Sequence, residues 1–215
     1  MGHQVAVRST AGARVEMLPL EAVRQHDDGE AHLVRRAKAG WPSAWVRIYD
    51  AHYHKLYLYS YARTASRPVA AKLASQVFMR AVREIDRYAA TQRPLFAWLY
   101  RLAREHVNEH LARHGETALG FEPEAPASQP REEREMLVAL RSLPDEEHEV
   151  IALHYYARCT MEETAAALER SMQAVLQAQT KALHRLLGAA ESAGRGYAAV
   201  ALPLRPSYAN GGMQA

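Results

Sequence analysis

The chain is poor in several things, and each shortage narrows the reading. It has one cysteine, Cys159, in 215 residues, which rules out an intramolecular disulfide framework and fits a reducing compartment. No apolar run approaches the ~20 residues that a membrane span requires. The opening MGHQVAVRST lacks the continuous apolar stretch of a secretory signal. A cytoplasmic location without membrane contact is therefore expected. Alternating apolar–polar segments are missing, so the expected fold class is all-α. No glycine-rich phosphate loop and no Ser-His-Asp arrangement is present, so neither a bound cofactor nor a small-molecule substrate is expected.

Charge is unevenly distributed. Between His32 and His114, fifteen Lys/Arg face five Asp/Glu, whereas between Arg131 and Gly188 seven face ten. The first half has the balance of a polyanion binder and the second does not. Between them GETALGFEPEAPASQP (115–130) holds three Glu, no cation and no periodicity, and reads as a flexible linker.

Helical periodicity fills both halves. Asp27-Asp28-Gly29 precedes a short helix that ends at Gly40, and Pro42 opens the next. Trp45, Ile48, Tyr49, His52, Tyr53, Leu56, Tyr59 and Tyr61 mark the second stripe, Leu73, Val77, Phe78, Ala81, Val82 and Ile85 the third, and Leu95, Trp98, Leu99, Leu102, Val107 and Leu111 the fourth. Trp98 lies in the leucine stripe and reads as core. Beyond the linker, Met136, Leu137 and Leu140 are followed by a restart at Leu143-Pro144. A short helix from Met161, with Thr160 as N-cap, is followed by a turn at Glu169-Arg170-Ser171 and a longer helix from Met172. Short helix, tight turn and longer helix are the layout of a helix-turn-helix. The expected organisation is a weakly ordered leader (1–27), a four-helix domain (28–114), the linker (115–130), a helix-turn-helix domain (131–188) and an irregular tail (189–215).

The tract LPDEEHEVIALHYYARCTMEETAAALERS (143–171) resembles the C-terminal, promoter −35-binding domain of extracytoplasmic-function sigma factors. AKAGWPSAWVRIYDAHYHKLY (37–57) is similar to the opening helices of the same family, and FAWLYRLAREHVNEHLAR (96–113) to its −10-handling helix. The likeness runs from about residue 30 to 187. It implies two domains, region 2-like and region 4-like, that direct core RNA polymerase to promoter DNA, with an anti-sigma factor as a further partner and no catalysis by the chain itself.

The resemblance implies three sets of contacts. Tyr88, Arg93, Phe96, Arg101, Arg104 and Asn108 are expected at the −10 element, since trapping unpaired bases calls for cations and aromatic faces. Arg170, Ser171, Gln173, Gln177 and Lys181 are expected at the −35 element, with Gln179 a further neutral donor. Lys72, Ser75, Gln76 and Arg80 are expected against polymerase. Two motifs depart from the family. VAAKLASQVF (69–78) lacks its acidic clamp-binding residues, and SMQAVLQAQ (171–179) has Leu176 and Ala178 where cations usually meet phosphates. The second change predicts weaker binding and a flatter salt dependence. An alternative is a diverged paralogue that binds regulatory proteins without ordinary promoter recognition. A remote one is a zinc peptidase, because His106, Glu109 and His110 spell H-x-x-E-H on a helix. Neither a catalytic nor a metal site is assigned.

Overall fold

The computed structural model describes residues 20–89, 93–114 and 131–192, and side chains from residue 29 onward except at 131 and 132. Among these residues there are eight α-helices and no strand, in agreement with the all-α expectation. None of the helices is long and apolar enough to cross a membrane. The expected linker, the first 19 residues and the chain beyond Ser192 lie outside the described residues.

Helix α1 (Leu20–Lys38) begins earlier than the sequence reading and runs through Gly29. It stops at Gly40, whose φ of 79° is left-handed, and the Trp41 amide then bonds back to the Arg36 carbonyl. Pro42 occupies the first turn of α2 (Pro42–Thr64). Ser66 caps α3 (Arg67–Glu84) by accepting from the Val69 amide. A 3₁₀ turn (Ile85–Arg87) leads toward α4 (Leu95–His114). The second half comprises α5 (Arg131–Arg141), α6 (Asp145–Ile151), a π-helical turn (Ala152–Tyr156), α7 (Met161–Leu168) and α8 (Met172–Ser192). Helix α8 extends into the stretch expected to be irregular tail.

Burial along α2 shows how the halves meet. Its first turns bury a stripe, but every residue from Tyr59 to Thr64 is buried. A helix buried all round is enclosed on every side, and here α3 and α4 supply one wall while the second half supplies the other. Leu153, Ala157, Cys159 and Ala167 share a core with Ile48, Leu56, Tyr59, Phe96 and Leu99. Tyr61 and Ala70 join Leu137, Leu140, Ile151, Ala182 and Leu186 in another. The buried hydroxyls of Ser60 and Thr64 each donate to the carbonyl four residues back, both at 2.8 Å, so enclosure leaves neither unsatisfied. Cys159 is buried, and desolvation pushes its thiol up to about 12, consistent with a packing role rather than a nucleophile.

Candidate nucleic-acid interface

The loop into α4 is fixed from α1 by two side chains. The Glu30 carboxylate accepts from the Leu95 amide at 2.7 Å, which caps α4 at its positive end. Lys38 donates to the carbonyls of Asp86 at 3.3 Å and Tyr88 at 2.7 Å. Tyr88 is buried against Trp98, with ring centroids 5.1 Å apart, and its hydroxyl donates to the Arg93 carbonyl at 2.7 Å. Neither Glu30 nor Lys38 is singled out by sequence, because each acts on backbone more than forty residues away.

Beside this loop lies a cavity of about 360 Å³ lined by Arg80, Arg87, Arg93 and Arg101 around a single carboxylate, Glu84, with Tyr88 and Trp98 as its aromatic wall. Arg80 binds Glu84 at 2.8 Å and Glu105 at 2.7 Å, and its hydrogen bond holds the Glu84 carboxyl below its usual range. The expected −10 residues Tyr88, Arg93 and Arg101 meet at this cavity. Arg101, Arg104 and Asn108 are exposed along one face of α4. Phe96 is placed elsewhere: it is buried, with the Lys55 ammonium 5.2 Å over its ring, so it offers no open stacking face in this conformation.

The helix-turn-helix is built as its local sequence dictates. Thr160 and Glu163 form a reciprocal capping box, the hydroxyl accepting from the Glu163 amide at 3.1 Å and the carboxylate from the Thr160 amide at 2.9 Å. The turn passes through Glu169 at φ 54°, and Ser171 caps α8 by accepting from the Ala174 amide at 3.2 Å. Replacing Thr160 by alanine is expected to reduce stability by about 1 kcal/mol in urea unfolding, with Thr160→Ser retaining most of it.

Val175, Ala178, Ala182 and Leu186 face inward from α8. Gln173, Gln177 and Lys181 face outward together with Met172 and Leu176, which are 47% and 55% exposed. Ala178 therefore lies on the buried side rather than the outer face. Gln179 is likewise withdrawn from the outer face, donating to the Tyr155 hydroxyl at 2.8 Å. Arg170 binds Glu146 at 3.2 Å. On α3, Lys72 and Ser75 are exposed, Gln76 is partly buried, and Arg80 is engaged in the cavity wall. In the H-x-x-E-H stretch Glu109 pairs with Arg113 at 2.8 Å, and no cluster of three or more His, Cys, Asp or Glu suited to a metal occurs among the described residues.

A polar seam joins the halves. Asp145 and Glu149, one turn apart on α6, meet Tyr59 and Arg63 on α2 and Tyr100 and Arg104 on α4. Arg63 reaches Asp145 at 2.7 Å and Glu149 at 3.2 Å. Tyr59 donates to Glu149 at 3.0 Å, and Tyr100 donates to its other oxygen. Arg104 approaches Glu149 at 3.8 Å and Asp145 at 4.0 Å. Burial, reinforced by the Glu149 charge, pushes both tyrosines well above their ordinary range. Further out, Lys55 binds Glu163 at 2.7 Å and Arg93 binds Glu169 at 2.6 Å.

The family described as Sigma-70, region 4 matches residues 139–186, which contain the helix-turn-helix. The ECF RNA polymerase sigma factor BldN of Streptomyces coelicolor is 29% identical over 166 residues, covering 72% of this chain and 63% of BldN, so the chain spans just under two thirds of that relative's length. CnrH, solved in complex with the cytosolic domain of CnrY, superimposes with a TM-score of 0.58 at 19% identity over 76% of this chain and 97% of that one. The sigma factor RpoE, solved with the anti-sigma factor NepR from Bartonella quintana, gives 0.52 at 16% identity over 67% of this chain and 95% of that one. The last two show a shared fold. The matched helix-turn-helix and the similarity to BldN make RNA polymerase sigma factors the proteins that this chain resembles.

Proposed function

We propose that the chain works as a sigma factor, bringing core RNA polymerase to a set of promoters, with the first half handling unpaired −10 bases and the second contacting the −35 duplex. The observation that supports this most is the arginine-lined, aromatic-walled cavity beside α4, on the same chain as a sigma-70 region 4. The arginines suit the phosphates of a single strand, while Tyr88 and Trp98, both buried, shape the cavity wall rather than offer an open stacking face. The expected partners are core polymerase through α3, promoter DNA, and an anti-sigma factor. The role is binding, not catalysis.

The −35 contact is the weaker of the two in this reading. The outer face of α8 offers Gln173, Gln177 and Lys181 beside two exposed apolar side chains. Neutral amides reach bases or phosphates without releasing counterions. The test is a salt titration of binding to a single-stranded −10-type oligonucleotide. Arg101→Ala should weaken binding at low salt and lower the slope of log K against log salt by ~0.7, the value for one phosphate contact on a single strand. An unchanged slope would remove Arg101 from the interface.

A further inference from the structure

Helix α8 opens with two parallel rows on its outer face. Met172 and Leu176, one turn apart, form an apolar row, and Gln173 and Gln177, also one turn apart, form an amide row beside it. All four are exposed, while Val175 and Ala178 fill the buried side. We propose that this face selects A·T pairs in the major groove, the apolar row packing on thymine methyl groups and the amide row pairing with adenine edges. The inference rests on the −35 reading above and goes beyond it, because it names the bases read and the side chains that read them.

Position supports this first. In a helix-turn-helix the opening residues of the second helix meet base edges. Met172 to Gln177 are the first six residues of α8 and lie within the matched region 4. Ser171, accepting from the Ala174 amide at 3.2 Å, fixes where that helix starts. Chemistry supports it next. Guanine is read chiefly by Arg or Lys on its O6 and N7 atoms. The first cation of α8 is Lys181, more than a turn beyond Leu176, and Arg170 in the preceding turn is paired with Glu146 at 3.2 Å. An A·T pair instead presents the adenine N7 acceptor, the adenine N6 donor and the thymine C5 methyl group. A glutamine amide donates to N7 and accepts from N6, and a leucine or methionine packs on the methyl. The two rows thus supply both chemistries side by side. Exposure points the same way. Leu176 is 55% exposed, and an apolar side chain in water gains free energy when another apolar group covers it, which a phosphate does not do. Because each row keeps to its own side of the helix, the fit is best to consecutive A·T pairs with their adenines on one strand.

Deoxyuridine in place of thymidine removes the methyl group and keeps the hydrogen bonds, so it isolates the apolar contact. The full-length protein is titrated at low salt with fluorescein-labelled duplexes of about 20 base pairs, two helical turns. Their centre is a run of A·T pairs with adenines on one strand, the same run with deoxyuridine, or a run of G·C pairs. The A·T duplex should bind at least about fourfold more tightly than its deoxyuridine form, the share of one covered methyl. It should bind about tenfold more tightly than the G·C duplex. Met172→Ala and Leu176→Ala together should bring the A·T and deoxyuridine duplexes to equal affinity. Alanine favours the helix at both exposed positions, and far-UV circular dichroism checks that the fold is kept. Lys181→Ala should weaken binding to both duplexes alike and leave their ratio unchanged, as a phosphate contact would.

Equal binding of the A·T and deoxyuridine duplexes by the unmodified protein overturns the proposal. So does a thymine preference that survives the double variant, since the methyl groups are then read elsewhere or through duplex shape. Tighter binding of the G·C duplex overturns it as well. In each of these cases a duplex is still bound, and the −35 reading stands without the base assignment. If no duplex is bound, the −35 reading fails and the base assignment fails with it. A concentration-dependent dimer that the double variant abolishes, with no duplex bound, would give the face to a second copy of the chain.

Discussion

Replacing Arg63 with alanine should lower the free energy of unfolding by about 3–5 kcal/mol, the usual consequence of removing one partner from a buried charge pair. The guanidinium is 6% exposed and Glu149 is 2% exposed. Burial works against the arginine's charge, but Glu149, Tyr59 and Asp145 outweigh it and hold its pKa above the ordinary value. Without Arg63, Glu149 keeps two tyrosine hydroxyls and a guanidinium at 3.8 Å, which neutralise a buried carboxylate poorly. Urea unfolding of the variant measures the loss. A change in the slope m would show that the halves had uncoupled rather than lost stability as one unit. Replacing both partners with apolar residues of similar volume should recover much of the loss. A loss under about 1 kcal/mol for Arg63→Ala would mean that the seam is solvated, contrary to the packing described.

Acid should loosen the same seam through His148. Burial lowers its pKa to about 4, with help from Arg63, and its Nε2 lies 3.2 Å from the Ala62 carbonyl on α2. That geometry suits a neutral ring whose Nε2 proton is donated. An unfolded chain takes up this proton near the ordinary histidine value of ~6.5. Between about pH 6.5 and 4 the unfolded state therefore binds more protons, and stability falls as pH falls. The contribution is fully present above the unfolded value and shrinks by about 2–3 kcal/mol by pH ~4.5. His148→Gln keeps an amide donor toward Ala62 and removes the titration. Unfolding curves at pH ~7 and ~4.5 should differ more for the unmodified protein than for the glutamine variant, by about that amount. Equal pH dependence in the two would show that His148 is solvated or already shared with the unfolded state.

Much of the chain's architecture follows from local chemistry. Gly40, Pro42, Ser66 and Thr160 each do at their helix ends what their side chains or backbone freedom dictate, and the stripes of α3 and α4 bury as their spacing requires except at Val82, which is 51% exposed. The helix-turn-helix is legible for the same reason: its capping box and turn are made of neighbours in sequence. What sequence could not supply is pairing at long range. Glu30 and Lys38 fasten a loop far along the chain. Arg104 looks like a phosphate ligand on its own helix, and only the fold shows Glu149 in front of it. Charge counting led to the same gap. A surplus of cations in one half and a deficit in the other describes two surfaces, yet does not say that they face each other. Phe96 follows the same logic: a ring at the start of a basic helix suits stacking until Lys55, held by Glu163 of α7, lies over it. Even α1 misleads, because Asp27-Asp28-Gly29 has the composition of a helix start but lies within a helix that begins at Leu20.

Transcription directly tests the proposed role as a sigma factor. The purified protein is added to core RNA polymerase and a library of genomic promoter fragments, and the transcripts are sequenced from their 5′ ends. New start sites absent with core enzyme alone are expected, clustered downstream of shared −10 and −35 sequences, and reduced when Arg101 is replaced by alanine. Core enzyme that gains no start sites, although the folded protein is present in excess, would contradict it.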